Sequence, residues 1–183
     1  MRILPLAYYL EKMGVKDQFE ITHQVSCITH RHIRSKMACG IYIQFAINLL
    51  KGENPETAYK KMKNTVLEYY KNNLYTGELR HFKRILESDI SGLHEEFIKS
   101  TGYVVDTLEA SLWCFLNNNS YSDTVITAVN LGDDTDTTGS VTGGLAGIYY
   151  GYEGLPQKWI SKIVKVEEII KLGEKLYQAI CGV

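Results

Sequence analysis

Gly132-Asp133-Asp134-Thr135-Asp136-Thr137-Thr138-Gly139-Ser140-Val141-Thr142-Gly143-Gly144-Leu145-Ala146-Gly147 is the stretch on which the reading of this 183-residue chain turns. Its first half is acidic and rich in hydroxyls, and its second half is small and apolar. Seven of the 15 glycines lie between Gly132 and Gly154, and Gly139, Gly143, Gly147 and Gly151 recur every four residues. On a helix that spacing draws a single stripe. Each interior glycine costs roughly 1 kcal/mol relative to alanine, and close approach of neighbouring backbones is the simplest compensation. The spacing therefore predicts a central, buried helix over about residues 138–151. The apolar run from Val141 to Tyr150 is too short for a membrane-spanning G-x-x-x-G helix.

Outward from this segment, almost every periodic stretch has helical spacing. Ile3, Leu6, Leu10 and Met13 share a face, and Gly14 reads as a C-terminal stop. A second helix is expected over 35–50, closed by Gly52. A third follows Asn54 as cap and Pro55 as first helical residue, with Tyr59, Met62, Val66 and Tyr69 on one face. Further helices are expected near 78–88, 93–99, 106–117, 121–130, 156–163 and 166–180. Asp106 or Thr107 would cap the helix that holds Leu108, Leu112 and Phe115, and Ser122 or Asp123 the next. Ile21-Thr22-His23 recurs as Ile28-Thr29-His30, which on a continuous helix would put both histidines on one face. No alternating β-branched run is present, and no Pro- or Gly/Ser-rich linker divides the chain. The fold class expected is all-α, in one domain over 1–183.

Composition narrows the function classes. With 45% hydrophobic and 22% charged residues the chain is neither disordered nor fibrous. Twenty basic against 21 acidic residues, a net charge of −1, lack the excess that drives non-specific nucleic-acid binding. No segment has the ~18–20 uninterrupted apolar residues needed to span a bilayer. The N-terminal Met1–Leu10 run has no small-residue cleavage site and is followed by Glu11 and Lys12, so no signal peptide is expected. Cys27, Cys39, Cys114 and Cys181 are dispersed, without a C-x-x-C pair, which reads as reduced thiols and a cytoplasmic setting.

The acidic half of the opening stretch has two readings. Asp and Thr at a helix start cap the helix and complement its positive end. Three carboxylates in four residues exceed that need, and their repulsion favours a cation or a ligand hydroxyl among them. An EF-hand loop is excluded: Asp134, Asp136 and Gly139 fit its first, third and sixth positions, but Leu145 stands where the bidentate Glu belongs. An all-oxygen set still suits a hard cation such as Mg²⁺ or Mn²⁺.

These residues closely resemble the ADP-ribosylglycohydrolases, a family of all-helical enzymes that includes the dinitrogenase-reductase-activating glycohydrolase. The match is carried by Gly132 to Ser140, followed by Gly143-Gly144-Leu145-Ala146-Gly147 and Tyr149-Tyr150-Gly151. Three further segments agree in order: Met1-Arg2-Ile3-Leu4-Pro5-Leu6, Ile28-Thr29-His30-Arg31-His32 with Ser35 and Cys39, and Gly102-Tyr103-Val104-Val105-Asp106-Thr107-Leu108. The resemblance implies hydrolysis of the bond between ADP-ribose and a protein side chain, with two Mg²⁺ or Mn²⁺ ions holding the ribose hydroxyls and a water. It implies Asp134, Asp136 and Thr137 as metal ligands and His30 as a contact to ADP-ribose, with Tyr103 a second candidate on the ribose or adenine side. Asp133 is implied as a capping or supporting residue. ADP-ribose or an ADP-ribosylated protein is the expected partner. The pattern singles out no general base, and His23, His32, His81, His94, Asp89, Glu95, Glu96 and Glu109 read as ordinary surface or capping residues.

The family's glutamate-bearing "G-D-A-L-G" and "T-D-D" segments are not found here. The chain is therefore read as a compact orthogonal helical domain of that type lacking its N-terminal part, a C-terminal portion with an incomplete metal site. A complementing N-terminal polypeptide or self-association is expected, the latter through apolar area on the helix with Leu4, Leu6, Tyr8 and Leu10. The alternative function is a non-catalytic ADP-ribose- or metal-binding protein, or a scaffold, derived from the fold.

Overall fold

A computed structural model describes residues 2–71 and 74–182; Met1 of the N-terminal motif lies outside them. Among the described residues ten α-helices run in order: α1 Leu6–Leu10, α2 Val15–Cys27, α3 Ile33–Leu50, α4 Pro55–Tyr70, α5 Lys83–Leu86, α6 Val104–Leu116, α7 Tyr121–Asn130, α8 Thr135–Tyr150, α9 Gln157–Ile160 and α10 Val166–Cys181. Among the described residues there is no strand, so the all-α expectation holds. No described helix is long and apolar enough to cross a membrane.

The hub is α3, not the glycine-rich helix. Eleven residues of α3 are buried, including Met37, Ile41, Ile43, Phe45 and Ile47, and it meets α1, α2, α4, α6 and α8. A helix apolar on all sides has to be surrounded, and α3 and α6 both have that composition. Only five residues of α8 are buried (Thr138, Val141, Thr142, Leu145 and Ala146), and it packs mainly along α7 and α6. The glycine stripe is not uniform either. A Cβ at Gly139 would stand 3.2 Å from Val129 and one at Gly143 3.4 Å from the Tyr121 hydroxyl, so these two admit α7. Gly147 faces open space, and Gly151 is the C-cap at φ 68°. The tightest glycine of α8 is off the stripe: a Cβ at Gly144 would lie 2.6 Å from Leu4 Cδ2 and 2.8 Å from the Tyr42 hydroxyl.

Element boundaries differ from expectation where short-range polar contacts decide them. Gly14 does not stop α1; it is the extended N-cap of α2 (φ −65°, ψ 149°). Gln18 then donates to the Leu10 and Met13 carbonyls and accepts from Gln44, which locks the α1–α2 corner onto α3. Helix α2 carries its buried face on polar residues, Gln18, Thr22, His23 and Ser26 besides Phe19, so no apolar period announces it. It ends at Cys27, leaving His30 outside, and the two I-T-H repeats share no face. Asn54 caps α4 as expected, by accepting from the Thr57 N–H. Ser120, not Ser122 or Asp123, caps α7. Helix α6 begins at Val104, ahead of Asp106, because Thr101 accepts from the Tyr103 N–H and donates to Asp106. The expected helices at 78–88 and 93–99 are largely 3₁₀ turns, Thr76–Phe82 and Glu95–Phe97, with α5 and a further 3₁₀ turn, Ile90–Gly92, between them.

Two residues read as surface groups are internal. His23 is buried between Tyr70, whose hydroxyl is 2.8 Å from Nε2, and Tyr75, 3.1 Å from Nδ1, inside an aromatic cluster with Phe19 and Tyr69. Burial, with Lys36 nearby, pushes its pKa down to about 4. Glu109 is buried on α6 beside Arg84 (3.4 Å), and desolvation raises its carboxyl pKa.

Candidate functional site

The acidic segment is the turn that joins α7 to α8. Gly132 (φ 84°) and Asp133 (φ 52°) both lie in the left-handed region and reverse the chain. Glycine has no Cβ to clash there, and aspartate tolerates the conformation better than most residues. Asp133 is exposed, and its contribution here is conformational. A second loop clamps the turn: the Ser100 hydroxyl donates to the Gly132 carbonyl (2.7 Å), and the Asp134 N–H donates to the Ser100 carbonyl (3.0 Å).

Asp134 sits at the N-cap position of α8, with Thr137 of the first turn against its carboxylate. The same carboxylate lies toward Gly102, where a Cβ would stand 3.1 Å from its Oδ2. The Thr137 hydroxyl above all, and then Asp136, hold its pKa below the usual carboxylate range. It is therefore an ionised acceptor at neutral pH.

Asp134 and Thr137 open into a cavity of about 510 Å³. Its apolar walls include Ile3, Val25, Ala38, Val104, Leu108 and Val141, and its polar lining includes Arg2, Ser26, Thr29, His30, Ser35 and Cys39. Tyr42 closes the floor, donating to the Val141 carbonyl (2.9 Å), and burial raises its pKa. Four segments distant in sequence thus meet here: the N-terminal Arg2 and Ile3, the loop before α3, the loop at Gly102 and the start of α8. A mostly apolar cleft with a few convergent polar groups is the ordinary form of a small-molecule site.

The predicted residues are distributed unevenly over this cavity. His30 lines it, with its N–H donating to the Ser26 carbonyl (2.8 Å) and its Nδ1 2.9 Å from the Thr29 hydroxyl. His32 is the N-cap of α3, its Nδ1 accepting from the Arg34 N–H. Tyr103 is not part of the lining, although Gly102 and Val104 on either side are. Its hydroxyl accepts from Arg34 Nη1 (3.1 Å), and the Arg34 Nε donates to Glu78 (2.5 Å). Asp136 is exposed on the first turn of α8, outside the cavity lining but beside Asp134. Gly102, Tyr42, Ser26 and Arg2 were not singled out as site residues; Gly102 and Arg2 lie in segments that carry the family resemblance, whereas Tyr42 and Ser26 match no local pattern.

Do these groups fit a hard divalent cation? Asp134, Asp136 and Thr137 offer oxygens of the right chemistry, and Asp134 is ionised. The number falls short of the ~6 ligands each Mg²⁺ takes. Among the described residues no group of three His, Cys, Asp or Glu side chains forms a metal site.

Comparison with known proteins agrees with the geometry. The family described as ADP-ribosylglycohydrolase matches residues 1–182. An ADP-ribosylarginine hydrolase, Tri1, of Serratia proteamaculans is 45% identical over 80 residues, covering 44% of this chain and 22% of that protein. The ADP-ribosyl-[dinitrogen reductase] glycohydrolase of Rhodospirillum rubrum is 36% identical over 85 residues, 46% of this chain and 29% of the relative. A solved structure titled "ADP-ribosylglycohydrolase-related protein complex" superposes with a TM-score of 0.80 at 26% identity, over 96% of this chain and 57% of its own. The chain thus spans a little over half the length of that relative, and the aligned stretches are less than a third of each of these two curated ones. The family match nevertheless takes in most of the family domain, which corrects the expectation of a C-terminal portion only. From the fold, the match over residues 1–182 and the acidic turn at its cavity, the chain belongs to the ADP-ribosylglycohydrolase family.

Proposed function

We propose that this chain contributes the ADP-ribose-binding cavity of a hydrolase that cleaves the glycosidic bond between ADP-ribose and a protein side chain, arginine being the first candidate. The observation that carries the reading is the convergence of His30, Asp134 and Thr137 on one cavity of about 510 Å³ from segments a hundred residues apart. The printed functions of the Serratia and Rhodospirillum relatives support the substrate class. Asp134, ionised and turned to the cavity, accepts hydrogen bonds from ribose hydroxyls. The Thr137 hydroxyl holds that carboxylate in place, and His30 contacts the ADP-ribose from the opposite lip. Apolar walls from Ile3, Val104 and Leu108 exclude water from the bound ligand. Asp134, Asp136 and Thr137 would hold Mg²⁺ or Mn²⁺, which when bound polarises ribose oxygens and water. The remaining ligands would come from water and from a polypeptide beyond residues 1–183. Four free cysteines, one exposed at Cys181, fit a reducing, cytoplasmic setting.

A second reading, a binding protein without hydrolysis, is favoured by the short donor set alone. Calorimetry with ADP-ribose, with and without Mg²⁺ or Mn²⁺, alongside turnover of ADP-ribosyl-arginine, tests both. Metal-enhanced binding with measurable hydrolysis supports the hydrolase. Tight metal-independent binding without turnover supports the second reading, and no binding under either condition overturns both.

A further inference from the structure

Beside the His30 lip of the cavity lies a cluster of cations that the proposed chemistry does not use. Arg31 follows His30 directly and is exposed, and His32 then caps α3, whose first turn carries Arg34 and Lys36. The 3₁₀ turn Thr76–Phe82 meets this helix start through Glu78, whose carboxylate pairs with Arg34 (2.5 Å) and lies 3.6 Å from His81 Nε2. Arg80 stands on the same turn, exposed, with its Nε 3.4 Å from His81 Nε2. The Arg34 hydrogen bond above all, and then the charges of Arg34, His81 and Arg80, lower the Glu78 pKa, so these groups surround one carboxylate. Lys36 faces the same region, since its charge bears on Tyr75, the residue before the turn. Neither Arg31 nor Lys36 has an ion-pair partner among the described residues.

Arg31, Arg34, Lys36 and Arg80 are permanently charged, and the carboxylate paired among them is Glu78, which leaves this side of the cavity strongly positive. At the α8 start the exposed charges are Asp133 and Asp136 instead. A side chain that carries ADP-ribose into the cavity lays its own neighbours in the polypeptide against this rim. Charges at the rim of an interface steer approach and fix orientation more than they add raw affinity. A cation cluster at that place therefore favours a substrate whose flanking residues are carboxylates. Nucleic acid is the other common polyanion, but its binders carry an overall basic excess or a long basic stripe. This chain has 20 basic against 21 acidic residues, and Glu78 stands within the cluster.

We infer that the surface of Arg31, Arg34, Lys36 and Arg80 docks an acidic segment of the ADP-ribosylated protein, next to the modified side chain. The inference rests on the proposed hydrolase reading for its substrate class. The test titrates the full chain and its R31Q/R80Q variant with peptides carrying one ADP-ribosylated arginine flanked by Glu, by Gln or by Lys. The unmodified peptides, free ADP-ribose and a single-stranded DNA oligonucleotide complete the set, and affinity is read as Kd, or as KM where a peptide is turned over. The parent should bind the Glu-flanked modified peptide about tenfold more tightly than the Lys-flanked one, a preference that fades as salt is raised. R31Q/R80Q should shrink that preference to less than about threefold, with free ADP-ribose affinity and the unfolding midpoint unchanged. If ADP-ribose binds and the flanks make no difference, the docking inference falls and the hydrolase reading stands. If ADP-ribose does not bind, while the unmodified Glu peptide binds the parent and not R31Q/R80Q, the hydrolase reading falls and the acidic docking surface stands. A preference that survives R31Q/R80Q overturns the assignment, and so does DNA that binds through these residues more tightly than the Glu peptide. Absence of all binding overturns both readings.

Discussion

At Asp134, one backbone detail separates the two readings of an acidic helix start. A purely capping aspartate gives its side chain to the first turn of the helix alone, whereas the Asp134 carboxylate, held by Thr137, also lies against Gly102 at the cavity. The missing Cβ of Gly102 leaves room for the carboxylate there. Gly102→Ala is therefore expected to displace the Asp134 carboxylate and weaken ADP-ribose affinity about tenfold, while Asp134→Asn weakens it at least as much; calorimetric titration checks both. His23 makes a pH prediction. Its folded pKa of about 4 lies below the ordinary value near 6.5. The unfolded chain therefore binds the proton first, and stability falls as pH drops from 6.5 toward 4, by on the order of 2 kcal/mol, with none of this effect above pH 7. Urea midpoints measured from pH 7.5 to 4 should follow that course, and His23→Gln should remove this part of the slope.

Helix α8 shows what a four-residue glycine period can and cannot tell. The period correctly marks a helix that neighbours approach closely, but the contact is made at Gly139, Gly143 and Gly144, while Gly147 meets open space. The substitutions should therefore diverge. Gly144→Ala drives a methyl into Leu4 and the Tyr42 hydroxyl and should destabilise by about 1–3 kcal/mol. Gly147→Ala adds a methyl to an open helical position and should stabilise by about 0.5–1 kcal/mol. Denaturant unfolding of the pair against the parent checks the opposite signs. Helix α2 fails in the other direction: its buried face is Gln18, Thr22, His23 and Ser26, so hydrophobic periodicity has nothing to register, and only the partners Gln44, Tyr70 and Tyr75 account for it.

Across the whole molecule, one continuous core gathers residues from α1 to α8, and α10 stands outside it. Stability should be divided accordingly. Amides of α3 around Ile43 and Phe45 are expected to exchange only by global unfolding. Those of α10 should be poorly protected, since none of its residues is buried. Hydrogen-exchange mass spectrometry reads both. Apolar exposure was expected on the N-terminal helix instead, yet Leu10 is fully buried there and Leu4 and Leu6 are half-buried, leaving only Tyr8 and Tyr9 outside.

The sequence by itself determined the helical class, most helix positions and the acidic turn, because periodicity, the Asn54-Pro55 cap and a run of glycines and carboxylates are local properties of a chain. It also carried the family resemblance, through motifs that survive as strings of residues. Only the tertiary structure decided that α3 is the hub, that His23 and Glu109 are internal, and that the Asp134 carboxylate, held by Thr137, lies against Gly102. It also separated Tyr103 from the cavity and left α10 bare. Each of these depends on which residues from remote segments come within a few ångströms, and no local pattern encodes that.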